Sequence, residues 1–95
     1  MNVQYVQVWP GVTRYGIMQG TRDEFLNSKE WLFLTTVDNA EFFREEKTLE
    51  QAIADNPKGL LLFSKVNHFY VDGEVQISED ITWIEDGKVL QCETI

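Results

Sequence analysis

The sequence predicts a small α+β domain in which an antiparallel sheet carries one main helix on one face, in the order ββ(α)βα followed by a β-meander. Three observations lead there. Runs of β-branched and aromatic residues are separated by Pro10-Gly11, Asp72-Gly73 and Asp86-Gly87, pairs that supply the backbone angles of tight hairpin turns. Between these runs, apolar residues after Asp38 recur at about the helical period. The 95 residues contain no linker, low-complexity segment or convincing internal repeat, which leaves one compact domain with one core over residues 1–95.

The elements follow in order. Val3-Gln4-Tyr5-Val6-Gln7-Val8-Trp9 nearly alternates, and its apolar residues fall on both faces, Val3 and Tyr5 on one and Val6 and Val8 on the other. That pattern marks an interior strand or a bulge. Pro10-Gly11 offers the fixed φ and the positive φ of a type II turn, and residues 12–18 return as a second strand. After Gly20, Thr21-x-x-Glu24 has capping-box spacing, with Phe25 and Leu26 as the apolar side of one short helical turn. Residues 31–37, which open on Trp31, form a continuous apolar run too short for a good helix and fit a strand covered on both faces.

Asp38-x-x-Glu41 repeats the capping spacing, and Phe42, Phe43, Leu49, Ala52 and Ile53 recur at helical period up to Asp55, so this segment is the expected main helix. Thr48-x-x-Gln51 is a second capping signal inside it and allows a break near Lys47. Pro57 ends the helix by disfavouring helical backbone at Asn56, with Gly59 as a flexible exit. The remainder reads as short strands at residues 60–66, 69–71, 74–77, 81–85 and 88–92, with Asp-Gly as the strongest hairpin signal.

Charge limits the partners. Sixteen Asp and Glu face eight Lys and Arg, a formal net charge of −8, which argues against direct binding to nucleic acid or to an anionic membrane. The 43% hydrophobic content is too high for a disordered acidic tail. One cysteine makes no intramolecular disulfide, and residues 1–8 lack the basic and apolar regions of a signal peptide. No apolar stretch approaches the ~20 residues that span a bilayer, so the cytoplasm is the expected compartment. The charge is also uneven. In residues 1–37, Arg14, Arg22 and Lys29 balance Asp23, Glu24 and Glu30, so the whole excess lies in residues 38–95, where thirteen acids meet five bases.

Few residues suggest chemistry. Cys92 and His68 are the one thiol–base pair available, yet Cys92 reads as a strand residue and His68 as a turn residue, with no orienting third group at a suggestive spacing. Glu41 and Glu45, and Glu46 and Glu50, lie at i, i+4 and would share a helix face that Arg44 and Lys47 interleave, as a solvated face does. Asp72, Glu74, Glu79, Asp80, Glu85 and Asp86 crowd the meander without EF-hand spacing, and one His with one Cys falls short of the usual zinc sets. The six glycines form neither a P-loop nor a dinucleotide fingerprint. No metal and no cofactor is expected. Trp31 reads as core, whereas Trp9 and Trp83 suit either core or contact surface.

No catalytic motif rises above background, and the expected protein is a non-enzymatic inhibitor or regulator. It would present Glu41, Glu45, Glu46, Glu50, Asp72, Glu74, Glu79, Asp80, Glu85 and Asp86 to a basic protein partner, such as a nucleic-acid-binding enzyme. Toxin-immunity proteins and phage proteins that mimic nucleic acid occupy this niche as a class. Two alternatives stand beside it. One is a small enzyme or ligand-binding domain with a pocket between helix and sheet, lined by Phe42, Tyr70 and Trp83 and using a carboxylate. The other is a homodimer or larger structural assembly that pairs through an edge strand of the meander.

Overall fold

A computed structural model describes residues 2–19 and 41–94; the Thr21 capping signal, the expected strand at residues 31–37 with Trp31, and Asp38 lie outside them. Strand β1 (Asn2–Trp9) pairs antiparallel with β2 (Val12–Gln19) from Asn2↔Gln19 to Trp9↔Val12, so Pro10-Gly11 is the two-residue turn. Both Asp-Gly pairs also close hairpins. Asp72 and Gly73 take φ of +52° and +81°, and Asp86 and Gly87 take +50° and +81°, positive at both central positions as a type I′ turn requires. These turns join β4 (Leu60–Val71) to β5 (Glu74–Glu85) and β5 to β6 (Lys88–Thr94).

The sheet has six strands in the order β3-β2-β1-β4-β5-β6, where β3 is Glu41–Phe43. It is mostly antiparallel, with one exception that the sequence reading did not foresee. Val3 to Val8 of β1 run parallel to Leu60 to Lys65 of β4. Parallel neighbours need a long crossover connection, and nothing in local turn chemistry reports which strands meet across one. β1 thus has a strand on each side and apolar residues on both faces, as an interior strand does.

The expected main helix is mostly not helical. Glu41, Phe42 and Phe43 form the short edge strand β3 against β2, with Phe43 opposite Thr13 and Phe42 opposite Arg14. Here the Phe43 ring meets Tyr15 edge to face at 5.1 Å, and the Arg14 guanidinium lies 5.9 Å from the Phe42 ring centre. Aromatic side chains favour a pleated, half-covered surface, and this pairing outweighs the helical spacing. The helix α1 (Leu49–Asp55) begins instead at the second capping signal. Thr48 accepts from the Gln51 amide at 3.1 Å, and the Thr48 amide donates to the Gln51 side chain at 2.9 Å. Seven residues are too few for a helix to persist alone, so packing of Leu49, Ala52 and Ile53 onto the sheet holds it.

Two expected breaks are also absent. β4 and β5 each run twelve residues without interruption, through Asn67-His68 and through Ser78-Glu79-Asp80. These polar residues satisfy one another across the strands. Asn67 Nδ2 donates to Asp80 Oδ2 at 3.0 Å, and Thr94 Oγ1 of β6 donates to Asp80 Oδ1 at 2.8 Å.

The core lies on both faces of the sheet. Val3, Tyr5, Leu60, Leu62, Ile81 and Trp83 pack together on one face. Val6, Val8, Leu61, Phe63 and Ile84 pack on the other, beneath Ala52 of α1 and beside Tyr15. Each such side chain contributes roughly 1.5–3 kcal/mol of burial, so the central strands carry most of the stability. The sheet is therefore the dominant structure and α1 a small cover on one of its faces. Replacing Thr48 with alanine removes the side-chain half of the capping box, and chemical denaturation is expected to show a loss of about 1 kcal/mol with an unchanged m-value.

Candidate functional site

The ten carboxylates singled out by sequence do not share one surface. Asp72 and Glu74 lie exposed at the β4–β5 turn, and Glu85 and Asp86 lie at the opposite end of β5. Eleven residue steps of strand separate Glu74 from Glu85, roughly 36 Å at the usual rise. Asp86 is already engaged, because its Oδ1 accepts from the Gly59 amide at 2.8 Å and its own amide donates to the Gly59 carbonyl at 3.0 Å. Asp80 is held by Asn67 and Thr94, which keep its carboxyl below the ordinary carboxylate range. Glu79 is not a surface residue at all, being 1% exposed.

Of the helix-side residues, Glu41, Glu45 and Glu46 line one cleft and Glu50 does not, and the four are not paired positions of one helix. Glu41 belongs to β3, Glu45 and Glu46 to the loop that follows, and Glu50 alone to α1, where it sits exposed in the first turn. The loop is tied to the first hairpin. Glu46 Oε1 accepts from the Gly11 amide at 2.7 Å, and the Glu45 carbonyl accepts from Thr13 Oγ1 at 2.7 Å.

These ties leave a cleft of about 690 Å³ between α1 and the β2–β3 edge. Glu41, Glu45, Glu46 and Asp55 are its acidic lining residues, and Tyr15 and Phe43 its aromatic ones. One cation already sits there. The Lys47 ammonium lies 4.6 Å from the centre of the Tyr15 ring and pairs with Asp55. Burial works against the Lys47 charge, but the Asp55 carboxylate and the Tyr15 hydroxyl more than offset it, so its pKa lies above the ordinary lysine value. Lys47 thus meets a ring face and a carboxylate together, the pairing that favours a cation. Asp55, Tyr15 and Phe43 were missed in the sequence, because Tyr15 and Phe43 meet only once β2 and β3 pair and Asp55 joins them from the end of α1.

A second polar group is enclosed on the opposite face. The Glu79 carboxylate accepts from Ser64 Oγ and, at 3.4 Å, from Gln7 Nε2; the Gln7 side-chain oxygen in turn accepts from Trp9 Nε1 at 2.7 Å. Burial pushes the Glu79 carboxyl above its ordinary pKa, with the Ser64 and Gln7 bonds acting against the shift. Burial and the nearby Glu79 charge also push the Tyr5 hydroxyl up, while Arg14 works the other way. Among the described residues, neither the Tyr5 hydroxyl nor Arg14 Nε has a hydrogen-bond partner.

The other candidates separate. Trp83 is buried in the core, Tyr70 is 77% exposed at the far end of β4 and Phe42 is 66% exposed on β3, so these three line no common pocket. Cys92 and His68 are both exposed and do not meet: Cys92 pairs with Thr82, itself opposite Phe63, five residues along β4 from His68. The His68 ring instead stands edge-on to Trp9 at 5.7 Å. Among the described residues no cluster of three or more His, Cys, Asp or Glu is placed to hold a metal, and no helix is long and apolar enough to cross a membrane. Comparison with known protein families, with curated proteins and with solved structures gave no match.

The raised Glu79 pKa has a definite sign. The folded protein holds this proton more tightly than the unfolded chain, so Glu79 costs no stability below the unfolded carboxylate pKa and an increasing amount as pH rises from there through the folded value. Glu79→Gln keeps the shape without the buried charge. Thermal melts across pH are expected to show the variant more stable than the wild type at pH 7, with the difference shrinking toward pH 4; equal melting temperatures at both would contradict the assignment.

Proposed function

We propose that this chain is a non-enzymatic binding protein, an inhibitor or regulator that takes a basic side chain of a partner protein into the cleft between α1 and the β2–β3 edge. The observation that carries the reading is that Glu41, Glu45, Glu46 and Asp55 line one cleft with Tyr15 and Phe43, where the Lys47 ammonium already lies on the Tyr15 ring beside Asp55. An arginine or lysine presented by a partner would find the same chemistry: ring face on one side, carboxylate on the other.

The net charge of −8 extends the effect beyond the cleft, because a negative field speeds encounter with a Lys/Arg-rich surface. Such surfaces belong chiefly to proteins that handle nucleic acid, which makes these the favoured partners. Glu50, Asp72 and Glu74, exposed outside the cleft, add to this field and to no specific contact. The carboxylates already tied to the fold by hydrogen bonds, Glu46, Asp80 and Asp86, serve stability first.

Titration of a labelled nona-arginine peptide in 0.15 M salt tests the reading. Glu41→Gln with Glu45→Gln is expected to weaken binding about three- to tenfold, as loss of two partly exposed ion pairs does. Asp72→Asn with Glu74→Gln removes the same charge from the β4–β5 turn and is expected to leave affinity within about twofold. If both pairs weaken the complex equally, attraction is delocalised and the cleft is not the binding site.

A further inference from the structure

Among the residues that line the cleft, Lys47 is the one cation, set against Glu41, Glu45, Glu46 and Asp55. Its ammonium stands where a ring face and a carboxylate meet, 4.6 Å from the centre of the Tyr15 ring and paired with Asp55. A basic side chain brought by a partner needs that same ring and that same carboxylate. Two cations cannot share the seat, because like charges in contact repel.

The backbone on either side of Lys47 is pinned. Glu46 accepts from the Gly11 amide and the Glu45 carbonyl from Thr13 Oγ1, while Thr48 is locked into the capping box with Gln51. The seat itself is open to water, with the Lys47 side chain 22% exposed and that of Asp55 56% exposed. An ion pair and a cation–π contact in such a setting are each weak. The ammonium can therefore leave by rotation of its own side chain, with the loop and the cleft walls kept in place.

We infer, on the reading of the cleft given above, that Lys47 is its internal competitor: the ammonium holds the seat on Tyr15 and Asp55 in the free protein, and a partner's basic side chain binds by displacing it. The partner then meets a site open only for the fraction of time that Lys47 spends outside it, and its apparent dissociation constant is the intrinsic one divided by that fraction. Two weak contacts close the seat by about three- to tenfold, and affinity falls by the same factor. The net charge of −8 is the same in both states, so long-range attraction survives while the local contact is regulated. A lysine that merely braced the cleft gives the opposite sign, since its removal would loosen the site and weaken binding.

Titration of labelled nona-arginine in 0.15 M salt reads that sign. Lys47→Gln is expected to tighten binding about three- to tenfold. Lys88→Gln removes the same charge from β6, at the opposite edge of the sheet from β2 and β3, and is expected to stay within about twofold of the wild type. Lys47→Arg puts a competing cation back and is expected to return affinity to the wild-type value. A second measurement needs no variant. The Lys47 Cε protons, one bond from an ammonium seated on the Tyr15 ring, are expected to resonate upfield in the free protein and to move to ordinary lysine positions as the peptide saturates. The two readings fail separately. If Glu41→Gln with Glu45→Gln does not weaken the complex selectively, the cleft is not the binding site and Lys47 competes for nothing. If that pair does weaken it, the competitor alone is overturned by a Lys47→Gln that gains no more than Lys88→Gln, or by Cε protons that stay upfield at saturation.

Discussion

Six residues of β1 lie parallel to six of β4, and everything else in the sheet hangs from this seam. On one side of it stand β1, β2 and β3, and on the other β4, β5 and β6, each set built from antiparallel pairs. A lone hairpin is marginal in water, and a third strand gains stability only if a face is covered. The seam supplies that condition by bringing Val3, Val6 and Val8 beside Leu60, Leu61, Leu62 and Phe63, so both faces of the joint become core at once. It also closes a chain segment of about fifty residues, which makes it an entropically costly contact.

The seam explains how the acidic residues are divided between structure and surface. Close to it, carboxylates are spent on the fold: Glu79 beneath Ser64 and Gln7, Asp80 between Asn67 and Thr94, Asp86 against Gly59. Away from it, at the β2–β3 edge and the tip of the β4–β5 hairpin, Glu41, Glu45, Asp72 and Glu74 face water. A net charge of −8 therefore overstates the charge that a partner can meet, since several carboxylates already have hydrogen-bond donors.

How far the sequence could be read depends on the range of the interaction that decides each element. The turns at Pro10-Gly11, Asp72-Gly73 and Asp86-Gly87 were legible because positive φ is a local property of Gly and Asp. The start of α1 was legible as well, since the capping box closes within four residues. β3 was not, because Phe42 and Phe43 fit helical spacing and only their pairing with Arg14 and Thr13 makes them a strand. The cleft shares that fate: Glu41, Glu45 and Glu46 were identifiable as acids, but Tyr15 and Phe43 join them through a contact almost thirty residues long in sequence. Glu79 could have been placed correctly. Ile77, Glu79, Ile81 and Trp83 alternate along one face of β5, so the strand period assigns this carboxylate to the apolar side.

β4 and β5 each contain two different environments along one unbroken strand. At the seam, Leu62 and Trp83 are fully enclosed, and their amides can exchange with solvent only when the whole molecule opens. Eight residues farther on, Tyr70 and Val75 have one described strand neighbour each and exposed side chains, the conditions under which a pair opens locally. Hydrogen bonding is continuous from one zone to the other, yet protection is not, so a single strand spans nearly the full range of local opening free energies in this protein.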